Sequence, residues 1–464
     1  MLPNRSPWIH QLARTRTAVP LATDLATDVA IVGGGVAGVT TAFFTLRDTD
    51  KSVILLEADK IAHGATGHNA GQLTSYFERP LHELVEEFGL DLALEGQRSV
   101  ESAWELIDDI IREAKLTTSL YRFIGHSGFS SFPQVLGSLM NNHFRARGGL
   151  PHEIIFVAEE WAERENIPVT YAPYYSVVPQ AQILELLDTK NTDYVASLSF
   201  EKGCMNSALF TEELLGYLVA TYPTRFSFFE ESPVKTVRLQ KDAGTLDVLG
   251  HTVRALRVVL CTNGFEHFNI RNEAGQDINT SFHHSITGRI GYMSAYLDER
   301  SEIPTALSYF PKINKFSSER DPLGETYFYL TRRPYEHTEK GLHTLVSTGG
   351  PEKVLPNGAD YDRADSCSDD MQMEIDEFLR ANYAKYPDDK ADHLFYWHGL
   401  MGYTPNRIRR VGAEPVNPVL LYNLGCNGVG ILPSVYGASR IAQCLNGEHL
   451  EPSIFDPHDQ REAE

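Results

Sequence analysis

Three glycines near the N-terminus have the spacing of a phosphate-binding turn. Gly33, Gly35 and Gly38 follow a short apolar run and open a stretch rich in small residues. In a strand–turn–helix unit, such glycines allow a tight turn, a close approach to a pyrophosphate, and close packing of helix on strand. Val36 and Ala37 would then lie in the first turn of a helix whose free N–H groups face the phosphates. The sequence therefore predicts a dinucleotide site, with an ordinary glycine turn in a βαβ unit as the alternative.

A carboxylate follows at the distance that dinucleotide-binding chains use. Glu57 ends the apolar run 52–56, about 20 residues after Gly38, and Ala58 comes next. Its carboxylate can accept hydrogen bonds from ribose hydroxyls and would repel a 2′-phosphate. The predicted ligand is therefore a dinucleotide with a free pair of ribose hydroxyls.

Three later features favour FAD over NAD. The loop 61–73 follows the Glu57 strand directly and is nearly free of bulk, so its backbone can lie along a ligand. The apolar strand 254–261 ends in small polar residues, and the segment before it can offer backbone hydrogen bonds to an adenine. For each segment alone, a core strand and turn is the alternative. The candidate cofactor contacts in these segments are Ala65, Thr66, His68, Asn69, Gly71, Gln72, Leu73, Val234, Thr262, Asn263 and Gly264.

The third feature is a glycine-rich turn near the C-terminus. An apolar strand, 420–424, runs into it, and Pro433 stands where the first turn of a helix accepts proline. The positive end of this helix could stabilise the negative charge of a reduced flavin. A cofactor touched by both ends of the chain must be long, as FAD is. The candidate contacts here are Asn427, Gly428, Val429, Gly430 and Ile431.

The elements that position these motifs predict a discontinuous α/β (α+β) fold. Nucleotide-type motifs lie at the start, middle and end of the chain, and aromatic-rich strand candidates lie between them. We expect a Rossmann-like FAD-binding domain with an inserted substrate domain built on an antiparallel sheet. The predicted FAD-binding domain comprises 27–79, 188–266 and 392–450. The predicted substrate domain comprises 80–187 and 267–391, with an extension at 1–26 and a loosely ordered tail at 451–464.

Composition narrows the class of protein. The 464 residues carry a formal net charge of −21, which argues against nucleic acid and anionic membrane surfaces. The five cysteines are scattered and form no Cys-x-x-Cys pair, which favours reduced thiols in a cytosol. The first 20 residues lack the apolar core of a secretory signal, and no window approaches the length of a membrane helix. We expect a cytoplasmic protein with no membrane span, and the sequence gives no oligomeric state.

These motifs together resemble the D-amino-acid-oxidase-like superfamily of FAD enzymes. The likeness is greatest to gamma-glutamylputrescine oxidases and to the glycine- and sarcosine-oxidase-like enzymes. It rests on 28–38, Gly64-Ala-Thr-Gly-His-Asn-Ala-Gly-Gln72, 258–264, Trp397-His-Gly399, Tyr403-Thr-Pro405, Arg407 and Gly425-Cys-Asn-Gly-Val-Gly430. The resemblance implies FAD contacts at Trp397, Gly399 and Arg407. It also implies oxidation of a C–N bond, in which the cofactor carries the chemistry and the protein orients the substrate.

The sequence departs from these relatives at four places. His68 stands where gamma-glutamylputrescine oxidases carry Arg. Since dimethylglycine-dehydrogenase-like relatives link FAD covalently through a His at the similar place, either a noncovalent FAD or a covalent link through His68 is expected. The stretch 399–403 holds no cysteine for the other known attachment. Val429 replaces a common His, and Arg409 a common Pro.

Aromatic strands supply the candidates for the substrate pocket. Alternation along 326–331 puts Tyr327, Tyr329 and Thr331 on one face, and Tyr292 lies in a second such strand. Aromatic rings beside a flavin would bind an aliphatic amine through its methylenes and its ammonium; a sheet packed on its own core is the alternative. Arg407 could hold a substrate carboxylate or form a structural ion pair. The pair His283-His284 has no third ligand at metal spacing, so no metal is expected.

Three functions remain open from the sequence. The first is an amine or amino-acid oxidase that passes electrons to O₂. The second is a dehydrogenase of the same fold that uses a quinone or carrier protein. The third is a flavoprotein subunit without turnover. A flavin monooxygenase is disfavoured because its later motifs are not found.

Overall fold

The chain folds around two β-sheets. The computed structural model describes residues 4–12, 14, 16–265, 268–278, 286–300, 302–311, 327–355, 361–387 and 391–457. The strands are β1 Leu25–Val32, β2 Val53–Leu56, β3 Gln72–Thr74, β4 Tyr121–Phe129, β5 Ile154–Ala158, β6 Ser176–Val178, β7 Ala196–Cys204, β8 Phe226–Phe229, β9 Val234–Leu239, β10 Gly244–Val248, β11 His251–Leu260, β12 Asn269–Asn272, β13 Thr287–Asp298, β14 Thr305–Phe310, β15 Phe328–His337, β16 Gly341–Val354, β17 His393–Tyr403, β18 Arg410–Ala413 and β19 Leu420–Leu424.

Helices cover these sheets. They are α1 Pro7–His10, α2 Val36–Asp48, α3 Leu81–Phe88, α4 Leu90–Ala114, α5 Phe132–Arg147, α6 Glu159–Arg164, α7 Gln180–Leu186, α8 Ser207–Thr221, α9 Asp369–Asn382 and α10 Ile431–Leu445. Short 3₁₀ turns lie at Ala65–Gly67 and Val169–Tyr174.

The first sheet is Rossmann-like. Its order is β12-β9-β10-β11-β1-β2-β8, and β19 pairs with β11 and β18. The pairs β1 with β2, β1 with β11, β2 with β8, and β11 with β19 are parallel. The inner ends of β1 and β2 are buried on both faces, as parallel sheets covered by helices require. The predicted α/β class, with a Rossmann-like part assembled from separate stretches of chain, is confirmed.

The second sheet is mainly antiparallel. Its order is β17-β13-β16-β15-β14-β4-β7-β5-β6, and β3 pairs with β7. Among the described strands of this sheet, the pairs β4 with β14 and β5 with β6 are parallel and the others are antiparallel. β3, β7 and β17 lie in this sheet although their residues fall in ranges predicted for the FAD-binding domain, and β12 lies in the first sheet. The exact division into domains stays a prediction.

Some strands carried no prediction from the sequence, and two of them, β4 and β7, are nine residues long. Sequence patterning did not predict β10, a five-residue strand that completes a hairpin with β9. The segment 138–165, which carried no motif, forms the end of α5, then β5 and α6. Predicted features at His283, His284 and Thr326 lie outside the described residues.

The described segments nearest the two termini pack on the core. Trp8, in the predicted extension, is fully buried. The expectation of a loosely ordered tail is wrong for its first part, because Ile454 and Phe455 are buried and the N–H of Val411 donates to the carbonyl of Phe455 at 2.8 Å. The acidic composition around these two apolar residues led to the prediction of loose order. Residues 458–464 lie outside the described part.

Among the described residues, no helix has the length and apolarity needed to cross a bilayer.

Candidate functional site

The glycine turn after β1 is shaped by close backbone contacts. Gly33 has φ +109°, and a Cβ there would lie 2.6 Å from the carbonyl oxygen of Cys261 at the end of β11. A Cβ on Gly38 would lie 1.9 Å from the carbonyl oxygen of Gly33. These two contacts give the tight turn and the close packing of α2 on β1 that the spacing predicted.

Glu57 closes the glycine turn from the end of β2. Its carboxylate accepts hydrogen bonds from the N–H of Gly34 at 2.6 Å and from the N–H of Asp59 at 2.9 Å. Burial raises the pKa of this carboxyl, and the two backbone hydrogen bonds oppose that effect. Glu57 therefore both fixes the turn and presents a carboxylate to the cavity beside it.

The loop after β2 is held by a buried scaffold around Asn69. The side-chain amide of Asn69 donates to the carbonyl of Thr66 at 2.9 Å and to the hydroxyl of Ser207 at 2.9 Å. The indoles of Trp8 and Trp397 both donate to the Asn69 carbonyl, at 2.6 Å and 3.2 Å. These contacts give buried polar groups their hydrogen-bond partners. The other face of the loop lines the cavity.

The C-terminal turn meets the end of β11. The N–H of Cys426 donates to the side chain of Asn263 at 2.8 Å, and the side chain of Asn427 accepts from the N–H of Thr404 at 2.8 Å. Gly428 follows with φ +82°, and α10 begins at Ile431. The N-terminus of α10 is thereby aimed at the same space as the N-terminus of α2.

One cavity of about 430 Å³ joins these parts. Nineteen of the residues predicted as cofactor contacts line it: Gly33, Gly35, Val36, Ala37, Glu57, Ala58, Ala65, Thr66, His68, Asn69, Gln72, Val234, Thr262, Asn263, Gly399, Gly428, Val429, Gly430 and Ile431. Seven do not reach it: Gly38, Gly71, Leu73, Gly264, Trp397, Arg407 and Asn427. Several of these seven support the wall from behind, as Trp397 and Asn427 do.

Arg409, rather than Arg407, lies on the cavity wall. Its guanidinium donates from Nε to Oδ1 of Asn423 at 2.7 Å and from Nη2 to the Asn423 carbonyl at 2.9 Å. Burial lowers the pKa of Arg409 to about 10. Arg407 lies in the preceding turn with φ +57°, which directs the chain so that the arginine two residues later is the one that enters.

His68 lines the cavity as a neutral imidazole. Burial lowers its pKa to about 4. Its Nδ1 lies 3.1 Å from the carbonyl oxygen of Gly64. Since a carbonyl oxygen only accepts, the proton sits on Nδ1 and the lone pair on Nε2.

Tyrosines form the other end of the cavity. Tyr327 and Tyr329 line it as alternation predicted, and Thr331 accepts a hydrogen bond of 2.7 Å from the Gln72 amide on the same side. Tyr292 does not line it. Gly291 and Met293 do, so alternation along β13 directs Tyr292 to the opposite face, where its ring lies 5.8 Å from that of His398.

Several wall residues carried no prediction. Tyr76 and Glu78 come shortly after the loop 61–73, and Glu352 and Tyr403 come from β16 and β17. Tyr327 donates a hydrogen bond of 2.8 Å to Glu78, and burial raises the pKa of the Glu78 carboxyl. An acidic residue and an aromatic one directly after the loop 61–73 were the available signal.

The fold and this site define a dinucleotide-dependent oxidoreductase. The family model of the FAD dependent oxidoreductases (DAO) matches residues 28–444, and the chain belongs to that family. FAD is its cofactor, and the glycine turn, the Glu57 carboxylate and the two helix N-termini around one cavity fit that group.

Individual relatives agree with this family. The chain is 38% identical over 66 residues to the gamma-glutamylputrescine oxidoreductase of Escherichia coli, which is 14% of this chain and 15% of that one. The chain spans about a fifth or less of the length of the curated relatives it matches.

Solved structures share the fold over nearly the whole chain. Glycine oxidase from Geobacillus kaustophilus has a TM-score of 0.65 at 16% identity and covers 93% of this chain and 98% of its own. L-proline dehydrogenase from P. horikoshii has a TM-score of 0.69 at 14% identity, with 96% and 100% covered.

Proposed function

We propose that this enzyme oxidises a C–N bond in an amine or an amino acid. The observation that carries the proposal is the single cavity that runs from the glycine turn to the tyrosines of the second sheet. The names of the similar proteins support it, since they describe an oxidoreductase of gamma-glutamylputrescine, an oxidase of glycine and a dehydrogenase of L-proline.

The proposed cofactor contacts follow the cavity. The turn at Gly33 and Gly35 and the first turn of α2 would hold the pyrophosphate, and Glu57 would accept hydrogen bonds from a ribose. Val234 would lie at the adenine. The N-terminus of α10, with Val429 and Gly430, would face the pyrimidine end of the flavin.

Bound FAD supplies a hydride acceptor for the α-carbon of a neutral amine. Loss of this hydride leaves an iminium ion, which releases a proton to water as the imine and is hydrolysed to a carbonyl compound and an amine or ammonia. The protein binds and orients the substrate against the cofactor. The cofactor is held noncovalently in this proposal, with a covalent bond to His68 as the alternative; flavin that stays with acid-precipitated protein would establish the bond.

We propose O₂ as the electron acceptor, which makes the enzyme an oxidase that forms H₂O₂. A dehydrogenase that reduces a quinone or carrier protein is the second candidate, and the likeness to L-proline dehydrogenase favours it. Purified flavoprotein mixed with an amine in air separates the two, because an oxidase forms peroxide whereas a dehydrogenase reduces an added dye faster than O₂. A flavin spectrum that no amine or amino acid bleaches under argon would instead mark a subunit without turnover.

A further inference from the structure

Glu78 occupies a fixed position where the tyrosine pocket meets the C-terminal turn. Tyr327 donates to its Oε1 at 2.8 Å. A Cβ on Gly428 would lie 2.9 Å from the same oxygen, so the carboxylate packs directly against the turn. Within the described ranges, no lysine or arginine lies at ion-pair distance from Glu78, although its carboxylate faces the cavity.

Aromatic rings line the same cavity as this carboxylate. The ring of Tyr327 stacks on that of Phe310 at a centroid distance of 4.6 Å, and lies 5.8 Å from that of Tyr329. Tyr76 packs edge-on against Phe200 at 5.6 Å. Faces of fixed aromatic rings attract cations and cover methylene chains.

Three cations act on Glu78 from nearby without forming an ion pair with it: Arg407, Lys202 and Arg289. The guanidinium of Arg289 lies 3.4 Å from the carboxylate of Glu352 and stacks over Tyr403 at 4.8 Å. Lys202 is fully buried behind the wall, where its Nζ bonds to the Ser308 hydroxyl at 3.1 Å and burial lowers its pKa to about 7. None of these three cations lines the cavity, so the charged side chains on its wall at this end are the carboxylates of Glu78 and Glu352.

We propose that Glu78 binds a second, protonated amino group of the substrate, and that the enzyme therefore acts on diamines in preference to α-amino acids. An ammonium ion has no lone pair to support loss of hydride from its α-carbon, so the group held by Glu78 is distinct from the amine that reacts. The methylenes between the two groups lie against Tyr76 and Tyr327. This inference rests on the proposed oxidation of a C–N bond.

Three compounds of similar length test the inference. They are 1,4-diaminobutane, butylamine and 4-aminobutanoate, which end in an ammonium, a methyl and a carboxylate. The flavoprotein is mixed with each under argon, and the dependence of flavin bleaching on concentration gives a dissociation constant and a limiting rate. We expect 1,4-diaminobutane to bind most tightly.

The variant E78Q keeps the shape of the side chain and removes its charge. We expect it to weaken 1,4-diaminobutane binding roughly ten- to hundredfold, as loss of a charge-assisted hydrogen bond does, with butylamine binding and the limiting rates little changed. E86Q, an exposed change on α3, is the matched control and leaves all values unchanged. Retained flavin shows that each variant is folded.

Different outcomes overturn different claims. If E78Q slows the limiting rate for butylamine and 1,4-diaminobutane alike, Glu78 acts on the reacting amine and the inference is wrong. It is also wrong if 4-aminobutanoate binds more tightly than 1,4-diaminobutane, or if wild type and E78Q respond equally to tetramethylammonium, a cation that cannot be oxidised, in a titration of the flavin spectrum. If no amine or amino acid bleaches the flavin, the proposed function itself fails.

Discussion

The indole N–H of Trp8 donates a hydrogen bond of 2.6 Å to the backbone carbonyl of Asn69, a residue of the cavity wall. Trp8 belongs to α1, a single helical turn that the Ser6 hydroxyl caps, and its ring is fully buried. The N-terminal segment is therefore part of the support of the loop that we propose to contact FAD.

Replacing this indole should weaken cofactor binding. We expect W8F to lower the free energy of unfolding by about 1–3 kcal/mol, through the lost hydrogen bond and the space left behind. The dissociation constant for FAD should rise because binding must then order the loop. The rise is roughly tenfold for each 1.4 kcal/mol of binding free energy that is lost in this way. Fluorescence titration of the apoprotein with FAD, together with thermal unfolding, measures both.

Trp161 provides the matched control for W8F. It is equally well buried, in the separate core around β5 and α7. We expect W161F to reduce stability and leave the FAD dissociation constant within about twofold. Equal losses of FAD affinity in the two variants would contradict a specific role for Trp8.

Two helical glycines should respond oppositely to alanine. In α2, a Cβ on Gly38 would lie 1.9 Å from the carbonyl oxygen of Gly33, so G38A must push the helix away from the turn and should abolish FAD retention. In α8, exposed Gly216 has no atom within 4 Å of such a Cβ, so G216A should stabilise the protein by about 0.5–1 kcal/mol. The absorbance ratio of flavin to protein and the Tm report both outcomes.

His68 should make stability depend on pH below neutrality. Burial holds its folded pKa near 4, below the value near 6.5 of an unfolded chain. The unfolded state therefore takes up a proton first as the pH falls, so folding stability is lost between about pH 6.5 and 4. The loss at pH 5 should be roughly 2 kcal/mol for this group.

Since His63 and His126 also have lowered pKa values, the variant H68Q isolates the contribution of His68. Urea unfolding at pH 7 and pH 5 should show a smaller loss in H68Q than in wild type. The same loss in both proteins would mean that His68 is not buried as a neutral group.

Arg409 should raise the midpoint potential of the flavin, and Arg407 should affect it much less. Arg409 lies on the cavity wall, and loss of its positive charge disfavours a negatively charged reduced flavin. We expect R409M to lower the two-electron midpoint potential by about 30 mV, which corresponds to about 1.4 kcal/mol, and R407M to shift it much less. A dye-coupled reductive titration measures this potential, and a larger shift in R407M would refute the assignment.

The glycine turn and its carboxylate could be predicted because residue spacing within a short segment fixes their geometry. Gly33, Gly38 and Glu57 lie within one βαβ unit, where spacing fixes their relative positions. Alternation likewise placed Tyr327 and Tyr329 correctly, because a strand repeats every two residues.

The tyrosine end of the cavity depends on contacts between distant segments. Glu78 meets Tyr327 and Gly428 only after the second sheet has formed and the C-terminal turn has returned to it. Residue spacing within one segment therefore does not predict the contact of Glu78 with Tyr327 and Gly428. Arg409 lines the cavity and Arg407 does not, and Arg407 lies in a turn with positive φ that residue spacing alone does not predict.

Anaerobic reduction shows directly whether the flavin takes electrons from an amine or an amino acid. The purified flavoprotein is mixed under argon with a panel of diamines, monoamines, N-methyl amino acids and D-amino acids, and the flavin absorbance is followed. We expect at least one of these compounds to bleach the flavin rapidly, while NADPH alone does not. Bleaching by NADPH with none by any amine or amino acid would contradict it.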